Sequence, residues 1–254
     1  MKVFVPSFQD AVIDRLFVSM ENSEPNSVAG VVVLDNGLTD AVKTMWPQVH
    51  YLSVPRPFVA AQAFNRGFAA YPQDDVVVIC DDAEIGTLDW KSRIDNLFRS
   101  WPAEYGLVTF AEPAFVEVNG LPPLLRPHEM TVISMASGIA IPRRVLEQVG
   151  PWEEALVGYG FDDFDYGLRL LHAGYRMGVS GEVLLRVARQ AAGWEKVLGS
   201  WEAVLAHADV NFEVYLKKWL GWVPPKPWVV QLPITAEHLS RRACTCRDAD
   251  WKKP

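Results

Sequence analysis

Short apolar segments that alternate with helical segments constrain the fold of this chain most. Residues 2–6, 28–34 and 75–80 are apolar runs, and the β-branched run at 28–34 is typical of a buried parallel strand. Further strands are predicted at 49–54, 106–110, 131–141 and 178–187. Apolar residues at helical spacing predict helices at 10–20, 40–46, 58–71, 88–101, 142–149 and 194–220. This alternation predicts an α/β fold with a mainly parallel sheet flanked by helices.

Acidic residues follow two of the predicted strands. Asp35 begins an Asp-Asn-Gly sequence after the strand at 28–34, and Asp81-Asp82-Ala83-Glu84 follows the strand at 75–80. Ligands of parallel sheets bind beyond the carboxyl ends of the strands, so both segments lie where binding residues are expected. Oxygen-rich clusters of this kind suit Mg²⁺ or Mn²⁺ carrying phosphates. A turn after residue 34 and a solvated loop after residue 80 are the alternatives.

A third acidic cluster lies at the start of another predicted helix. Asp162, Asp163 and Asp165 follow a Gly-Tyr-Gly turn, and Gly174 is the predicted end of the helix. One face of this helix is apolar, at Phe161, Phe164, Leu168 and Leu171. The unpaired N–H groups of a helix start favour one or two acids there, but three clustered carboxylates repel unless a cation or a proton relieves them. An N-capped surface helix is the alternative interpretation.

Composition limits the classes of protein to which the chain can belong. Its 254 residues, half of them hydrophobic, suit one domain or one domain with an extension. No apolar run reaches the roughly 18 residues that a membrane span needs, and the N-terminus predicts a strand and not a signal peptide. Cys80, Cys244 and Cys246 cannot all pair within one chain, which predicts a reducing, cytoplasmic location. The net charge of −7 argues against broad non-specific binding to nucleic acid.

Four segments, in order, resemble the family 2-type glycosyltransferases, which have the GT-A fold. Residues 31–37 end in Asp-Asn-Gly, residues 63–68 contain Asn-Arg-Gly, and residues 77–84 lead into an Asp-x-Asp-like motif. The fourth and longest segment runs from Ser137-Gly138 through Gly150-Pro151-Trp152 and residues 158–165 to Ala173-Gly174-Tyr175-Arg176, and it resembles the acceptor-side block of the family. The resemblance implies a single Rossmann-like GT-A domain at 1–222 with a C-terminal helical extension, and a tail at 223–254.

For the donor side, the resemblance implies a nucleotide-diphosphate sugar and a divalent metal, Mn²⁺ or Mg²⁺. The residues expected near the nucleotide are Pro6, Ser7, Asp35, Asn65, Gly67 and Asp81. Asp82 matches the last acid of Asp-x-Asp, which binds the metal on the diphosphate, and Glu84 is the alternative end of that motif. His207 is a weaker metal candidate, because a lone histidine in a helical segment is more often a surface or core residue.

For the acceptor side, the resemblance implies inverting transfer of the sugar to a hydroxyl group. Asp162 and Asp163 match the Glu-Asp pair of the family, one member of which is the general base. We expect Asp163 to be the base, and Asp162 and Asp165 to orient the acceptor or the helix. The other residues expected near the acceptor are Gly138, Tyr159 and Gly160. A glycan, a protein, a small molecule or a modified nucleic-acid base would all supply such a hydroxyl.

The chain departs from the family pattern at three positions. Cys80 stands where the first acid of Asp-x-Asp would be, and Asp162 is one methylene shorter than the usual glutamate. The segment after the last predicted strand lacks the histidine of many relatives, although Arg186 or Arg189 could offset diphosphate charge there. A GT-A-like protein that binds a nucleotide or glycan without turnover is therefore the alternative, since fold alone does not establish function. The loop at 111–130 and the tail from 222 are expected to shape the acceptor side.

Overall fold

The computed structural model describes residues 1–111, 126–127, 138–187 and 198–220. The strands in these ranges are β1 (Lys2–Ser7), β2 (Val31–Asp35), β3 (His50–Ser53), β4 (Val76–Ile79), β5 (Ala83–Ile85), β6 (Tyr105–Ala111), β7 (Arg126–Pro127), β8 (Gly138–Ile141) and β9 (Arg176–Val187). The helices are α1 (Asp10–Ser23), α2 (Asp40–Met45), α3 (Ala60–Ala70), α4 (Trp90–Arg99), α5 (Arg143–Val149), α6 (Asp162–His172) and α7 (Trp201–Trp219).

One sheet runs through the molecule in the order β3-β2-β1-β4-β8-β6-β9-β5, with β7 beside β9. The first four strands of this order are mutually parallel. β8 is antiparallel to both of its neighbours, β4 and β6, whereas β9 is parallel to β6. The predicted α/β class is confirmed, and the strands beyond β4 make the sheet mixed.

Helices cover both faces of the sheet because the strands alternate their side chains between the two faces. Val3 and Val5 of β1 belong to a buried cluster with residues of α1, α2 and α4. Phe4, which lies between them, belongs to a second cluster with residues of α3, α5, α6 and α7. The helix that begins with the acidic residues at 162 and 163 therefore packs on the same face of the sheet as α3 and α7.

Most element boundaries agree with the sequence-based predictions to within a few residues. The strand predicted at 28–34 begins at Val31, and β5 lies in the acidic segment after residue 80, where no strand was predicted. β5 was missed because a three-residue strand has too few positions to show alternation. Parts of the predicted strand at 131–141, helix at 194–220 and loop at 111–130 lie outside the described residues. So do Arg189, Cys244, Cys246 and the whole predicted tail at 223–254.

Within the described ranges, no helix combines the length and the apolar character that crossing a bilayer requires.

Candidate active site

The carboxyl ends of β1, β2 and β4 bring three predicted site residues together. Ser7 is the register partner of Asp35 on the neighbouring parallel strand, and Pro6 is paired with Leu34 one position earlier. The Ser7 hydroxyl donates a hydrogen bond of 2.7 Å to the Asp81 carboxylate, which follows β4. Parallel strands end at the same edge of a sheet, which is why residues so far apart in sequence meet here.

Asp35 is held by its own turn and by α2. Its Oδ1 accepts hydrogen bonds from the N–H groups of Gly37 at 2.7 Å and Leu38 at 2.8 Å, and its Oδ2 lies 2.7 Å from Nζ of Lys43. Burial raises the pKa of Asp35, but the bonds from Lys43 and the two N–H groups outweigh burial, so the pKa lies below its usual value. Both oxygens are thus engaged within the protein, as the turn interpretation expects, and a nucleotide contact at Asp35 stays a prediction.

Asn65 binds another segment of the chain. Its Nδ2 donates to the backbone oxygen of Trp152 at 3.0 Å and to Oε1 of Glu154 at 2.8 Å, and its Oδ1 accepts from the Trp152 N–H at 2.7 Å. Both amide hydrogens are therefore used to fix the segment that precedes α6. These contacts give Asn65 a structural role, and the nucleotide contact that we predicted for it stays a prediction.

Two of the predicted glycines lie where the sheet leaves no room for a side chain. A Cβ atom on Gly67 would come within 3.0 Å of Phe4 and 3.2 Å of Leu34, so glycine lets α3 pack closely on β1 and β2. A Cβ atom on Gly138 would lie 2.7 Å from Leu185 and 3.0 Å from the backbone oxygen of Val78. Packing accounts for both glycines, and the ligand contacts predicted for them stay predictions.

Cys80 lies within electrostatic reach of carboxylates from two distant parts of the chain. Burial raises the pKa of its thiol, and the negative charges of Asp82, Asp81, Asp163 and Asp162 raise it further. The first two acids follow β4, whereas the other two begin α6. The acidic residues after β4 and those at the start of α6 are therefore all close enough for their charges to act on one thiol, and this thiol stays protonated at neutral pH.

Asp81 and Asp82 carry the charge on the β4 side of this region. Burial raises the pKa of Asp81 to about 7, against the lowering effect of the Ser7 hydrogen bond, and the charge of Asp82 adds to the rise. Both side chains are only half-buried, so a ligand can reach them. Two neighbouring carboxylates that a ligand can reach suit a divalent cation that takes its remaining ligands from phosphate oxygens.

The three metal ligands that we predicted do not form a site by themselves. In the ranges that the structure describes, no three His, Cys, Asp or Glu side chains converge as metal ligands. Glu84 lies in β5 opposite Arg186 of β9, and the His207 ring packs against Gly158. Asp82, Glu84 as the alternative end of its motif, and the weaker candidate His207 were given separately, and each stays a predicted ligand.

A loop with left-handed backbone conformations presents the acidic pair at the start of α6. Gly158, Gly160 and Phe161 have φ angles of 72°, 90° and 70°. A Cβ atom on Gly158 would clash with the His207 ring, so this position requires glycine for space as well as for conformation. The chain enters α6 immediately afterwards, and Oδ1 of Asp163 accepts a hydrogen bond of 2.8 Å from the Phe164 N–H.

Asp162 and Asp163 share one electrostatic environment. Burial raises the pKa of Asp162 to about 7, and the charges of Asp163 and Asp165 add to the rise, whereas the backbone N–H groups at the helix start oppose it. Burial also raises the pKa of the Tyr159 phenol, as do Asp163 and Asp162. Because two neighbouring carboxylates resist being ionised together, the pair can hold a proton close to neutral pH.

Asp165 joins α6 to α7. The side chain is 1% exposed, and its Oδ1 lies 2.8 Å from the indole nitrogen of Trp219 and 2.9 Å from Nζ of Lys218. Lys218 also forms an ion pair of 2.9 Å with Glu153. An acceptor cannot touch a carboxylate this deeply buried, so the predicted acceptor contact was wrong and the helix-orienting alternative fits.

The sequence analysis missed Asn211 of α7. This residue is 1% exposed and hydrogen-bonds the loop at 157–160, which leads to the acidic pair. One signal was present in the sequence: asparagine is a poor helix former, and here it lies three residues after Ala208 and four before Tyr215, on the buried side of the helix. A polar residue at such a position needs hydrogen-bond partners.

Solved structures similar to this chain are sugar transferases, and together they identify its fold. The mannosyltransferase PcManGT from Pyrobaculum calidifontis, in complex with GDP-Man and Mn²⁺, matches with a TM-score of 0.61 and 20% identity, covering 88% of this chain and 65% of that one. GalNAc-T7 with UDP, GalNAc and Mn²⁺ matches with a TM-score of 0.58 and 10% identity, covering 82% and 47%. TarS from S. aureus matches with a TM-score of 0.51 and 14% identity, covering 86% and 71%.

The chain has the GT-A fold of nucleotide-sugar glycosyltransferases. It spans about half the length of GalNAc-T7 and less than two thirds of PcManGT. No family model matches the sequence, and no curated protein sequence matches it. At these identities the likeness defines the fold, and the activity has to be argued from the site.

Proposed function

We propose that this chain is a glycosyltransferase that moves a sugar from a nucleotide-diphosphate donor to an acceptor hydroxyl, with inversion at the anomeric carbon. The observation that carries the proposal is that the charges of Asp81 and Asp82, after β4, and of Asp162 and Asp163, at the start of α6, all reach the Cys80 thiol. Such transfer needs one group of carboxylates to carry the cation of the donor and another to deprotonate the acceptor. The GT-A fold adds support, because the similar structures include complexes with GDP-Man or UDP and with Mn²⁺.

On the donor side, Asp82 is proposed to hold a divalent cation, Mn²⁺ or Mg²⁺, with Asp81 beside it. When bound, the cation would stabilise the negative charge that develops on the departing diphosphate. Ser7 fixes the orientation of Asp81 through its hydrogen bond of 2.7 Å, so that the carboxylate keeps one position at the end of β4. The nucleotide is proposed to lie along the carboxyl edge formed by Pro6, Ser7 and Asp35.

On the acceptor side, Asp163 is proposed as the general base, with Asp162, Tyr159 and Gly160 around the acceptor. The acceptor oxygen would attack the anomeric carbon while its proton passes to the Asp163 carboxylate, and the bond to the diphosphate oxygen would break on the opposite face. A single displacement of this kind inverts the anomeric centre. The neighbouring carboxylate of Asp162 favours proton uptake by the pair, since two adjacent negative charges repel.

The donor test is a thermal-shift screen of nucleoside diphosphates with and without Mn²⁺, followed by nucleotide release from the matching nucleotide sugars. We expect one base to raise the Tm in the presence of Mn²⁺, because a ligand at about 100 times its Kd stabilises the folded protein by about 2.7 kcal/mol. Release of nucleotide from the matching donor would support transfer. Binding without release from any donor, with or without acceptors, would favour the non-catalytic alternative, and no Tm shift with any diphosphate would contradict both the transferase and a non-catalytic nucleotide-binding protein.

The transfer rate is expected to depend on pH through the acidic pair. A general base must be ionised to accept a proton, and burial together with Asp163 raises the pKa of Asp162 to about 7. Because the two neighbouring carboxylates share this last proton, Asp163 is fully ionised only above that pKa. The rate at saturating donor and acceptor should therefore rise as the pH approaches about 7 and level off above it. Rates measured from about pH 5 to about pH 9 test this.

The Asp162→Asn variant is the control for the pH profile. Removing one of two neighbouring charges lowers the pKa of the other, so the rise in rate should move to lower pH in this variant. A rate that does not change with pH in the unmodified protein would contradict the assignment of this pair as the base.

A further inference from the structure

The contacts between α7 and the loop at 157–160 point to a role for Asn211 that goes beyond packing. We infer that Asn211 is a positioning residue, which holds this loop in the conformation that presents Asp162 and Asp163 to the site. The inference rests on the proposed function for its catalytic consequence. The conformational part of the inference concerns the loop alone and can be tested without any turnover.

Among the residues that the structure describes, the Asn211 side chain forms its hydrogen bonds with this loop. Its Oδ1 accepts from the N–H of Val157 at 3.1 Å. Its Nδ2 donates to the backbone oxygens of Val157 at 2.9 Å, Tyr159 at 3.1 Å and Gly160 at 2.9 Å. An amide NH₂ has only two hydrogens, so the three carbonyl groups share them. One buried side chain thus fixes four backbone groups within four residues.

The loop needs this kind of partner because of its backbone conformation. Gly158, Gly160 and Phe161 are all left-handed, so the loop cannot satisfy its own polar groups as a regular helix or strand would. A carbonyl that loses its hydrogen-bond partner in this partly buried loop favours other loop conformations. Asp162 directly follows this loop, and a change of loop conformation would therefore move the start of α6.

Other contacts hold α7 on the domain without Asn211. Trp219 and Lys218 bind the buried Asp165 carboxylate at 2.8 and 2.9 Å. The rings of Phe212 and Tyr215 each pack with their centroids 5.4 Å from the ring of Phe161. Substitution of Asn211 should therefore release the loop while α7 stays docked, which separates positioning from general structural support.

The test compares Asn211→Ala and Asn211→Asp with a control, Glu213→Ala. Aspartate keeps the size of asparagine and an acceptor for the Val157 N–H, but it places an oxygen opposite three carbonyl oxygens. Glu213 is an exposed residue of the same helix, so its substitution controls for changes in helix propensity. The readouts are hydrogen–deuterium exchange of residues 157–163, calorimetric affinity for the nucleoside diphosphate found in the donor screen, and kcat and KM for transfer.

We expect faster exchange confined to residues 157–163 in both Asn211 variants, and exchange like that of the unmodified protein in Glu213→Ala. Nucleoside diphosphate affinity should be unchanged, because the donor side is untouched. The kcat should fall on the order of 10²-fold, because a small displacement of catalytic groups can lower a rate by about this factor. Unchanged loop exchange, or faster exchange throughout the chain, would overturn the inference. Lack of turnover in the unmodified protein would instead refute the proposed function, and loop exchange would still decide the role of Asn211.

Discussion

The Asp163→Asn variant should lose sugar transfer while keeping its affinity for the nucleotide donor. General-base catalysis contributes on the order of 10² to 10⁴-fold to a rate, and an amide cannot accept the acceptor proton as a carboxylate can. Asparagine has the shape of aspartate, and its side-chain oxygen can still accept the Phe164 N–H bond that Oδ1 of Asp163 accepts at the start of α6. The kcat should therefore fall by about that factor, with little change in Tm.

The measurement is steady-state nucleotide release at saturating donor and acceptor, together with calorimetric titration of the nucleoside diphosphate. Asp162→Asn serves as the matched control, because it removes a charge of the same kind one residue earlier. We expect Asp162→Asn to shift the pH profile and to lower kcat less than Asp163→Asn does. The opposite order of effects would assign the base to Asp162, and near-normal kcat in Asp163→Asn would reject our assignment.

The buried strands and the acidic edge of the sheet could be predicted because each is encoded by a short local pattern. The run at 31–35 is apolar at every position until Asp35, as expected for a strand covered on both faces. The acids after β4 meet Ser7 because parallel strands end at a common edge, a rule that needs no knowledge of distant contacts. Topology alone therefore located this part of the site.

The roles of individual polar residues could not be predicted because they depend on contacts between distant segments. Asn65 bonds to Trp152, Asp165 to Trp219 and Asn211 to the loop at 157–160, and no sequence spacing specifies any of these pairs. A motif indicates which residue types the chemistry needs, but each side chain binds whichever partner the folded chain places beside it. Asp165 shows this clearly. It lies in the same helix as Asp162 and Asp163, yet its carboxylate is buried and bound by Lys218 of α7.

The Asp82→Ala variant should lose most of the Mn²⁺-dependent part of nucleotide binding. Asp82 is the acid that the resemblance assigns to the cation. Its negative charge, together with that of Asp81, raises the pKa of the Cys80 thiol. Changes even to residues that only support a metal ligand typically lower metal affinity by about 10- to 100-fold, so loss of a ligand should cost at least about that much. Calorimetric titration of the nucleoside diphosphate in the presence of Mn²⁺ should show a correspondingly higher Kd.

The same titration with the metal removed by chelation distinguishes loss of a metal ligand from damage to the nucleotide site. Without Mn²⁺, Asp82 only repels the negatively charged diphosphate, as it repels Asp81, whose pKa it helps to raise. Affinity in Asp82→Ala should then equal or exceed that of the unmodified protein, so the two conditions should give effects of opposite sign.

Glu84→Ala is the control, and an equal loss of Mn²⁺-dependent affinity in that variant would make Asp82-Ala83-Glu84 the metal motif. An unchanged Kd with Mn²⁺ would instead show that Asp82 holds no cation for the donor.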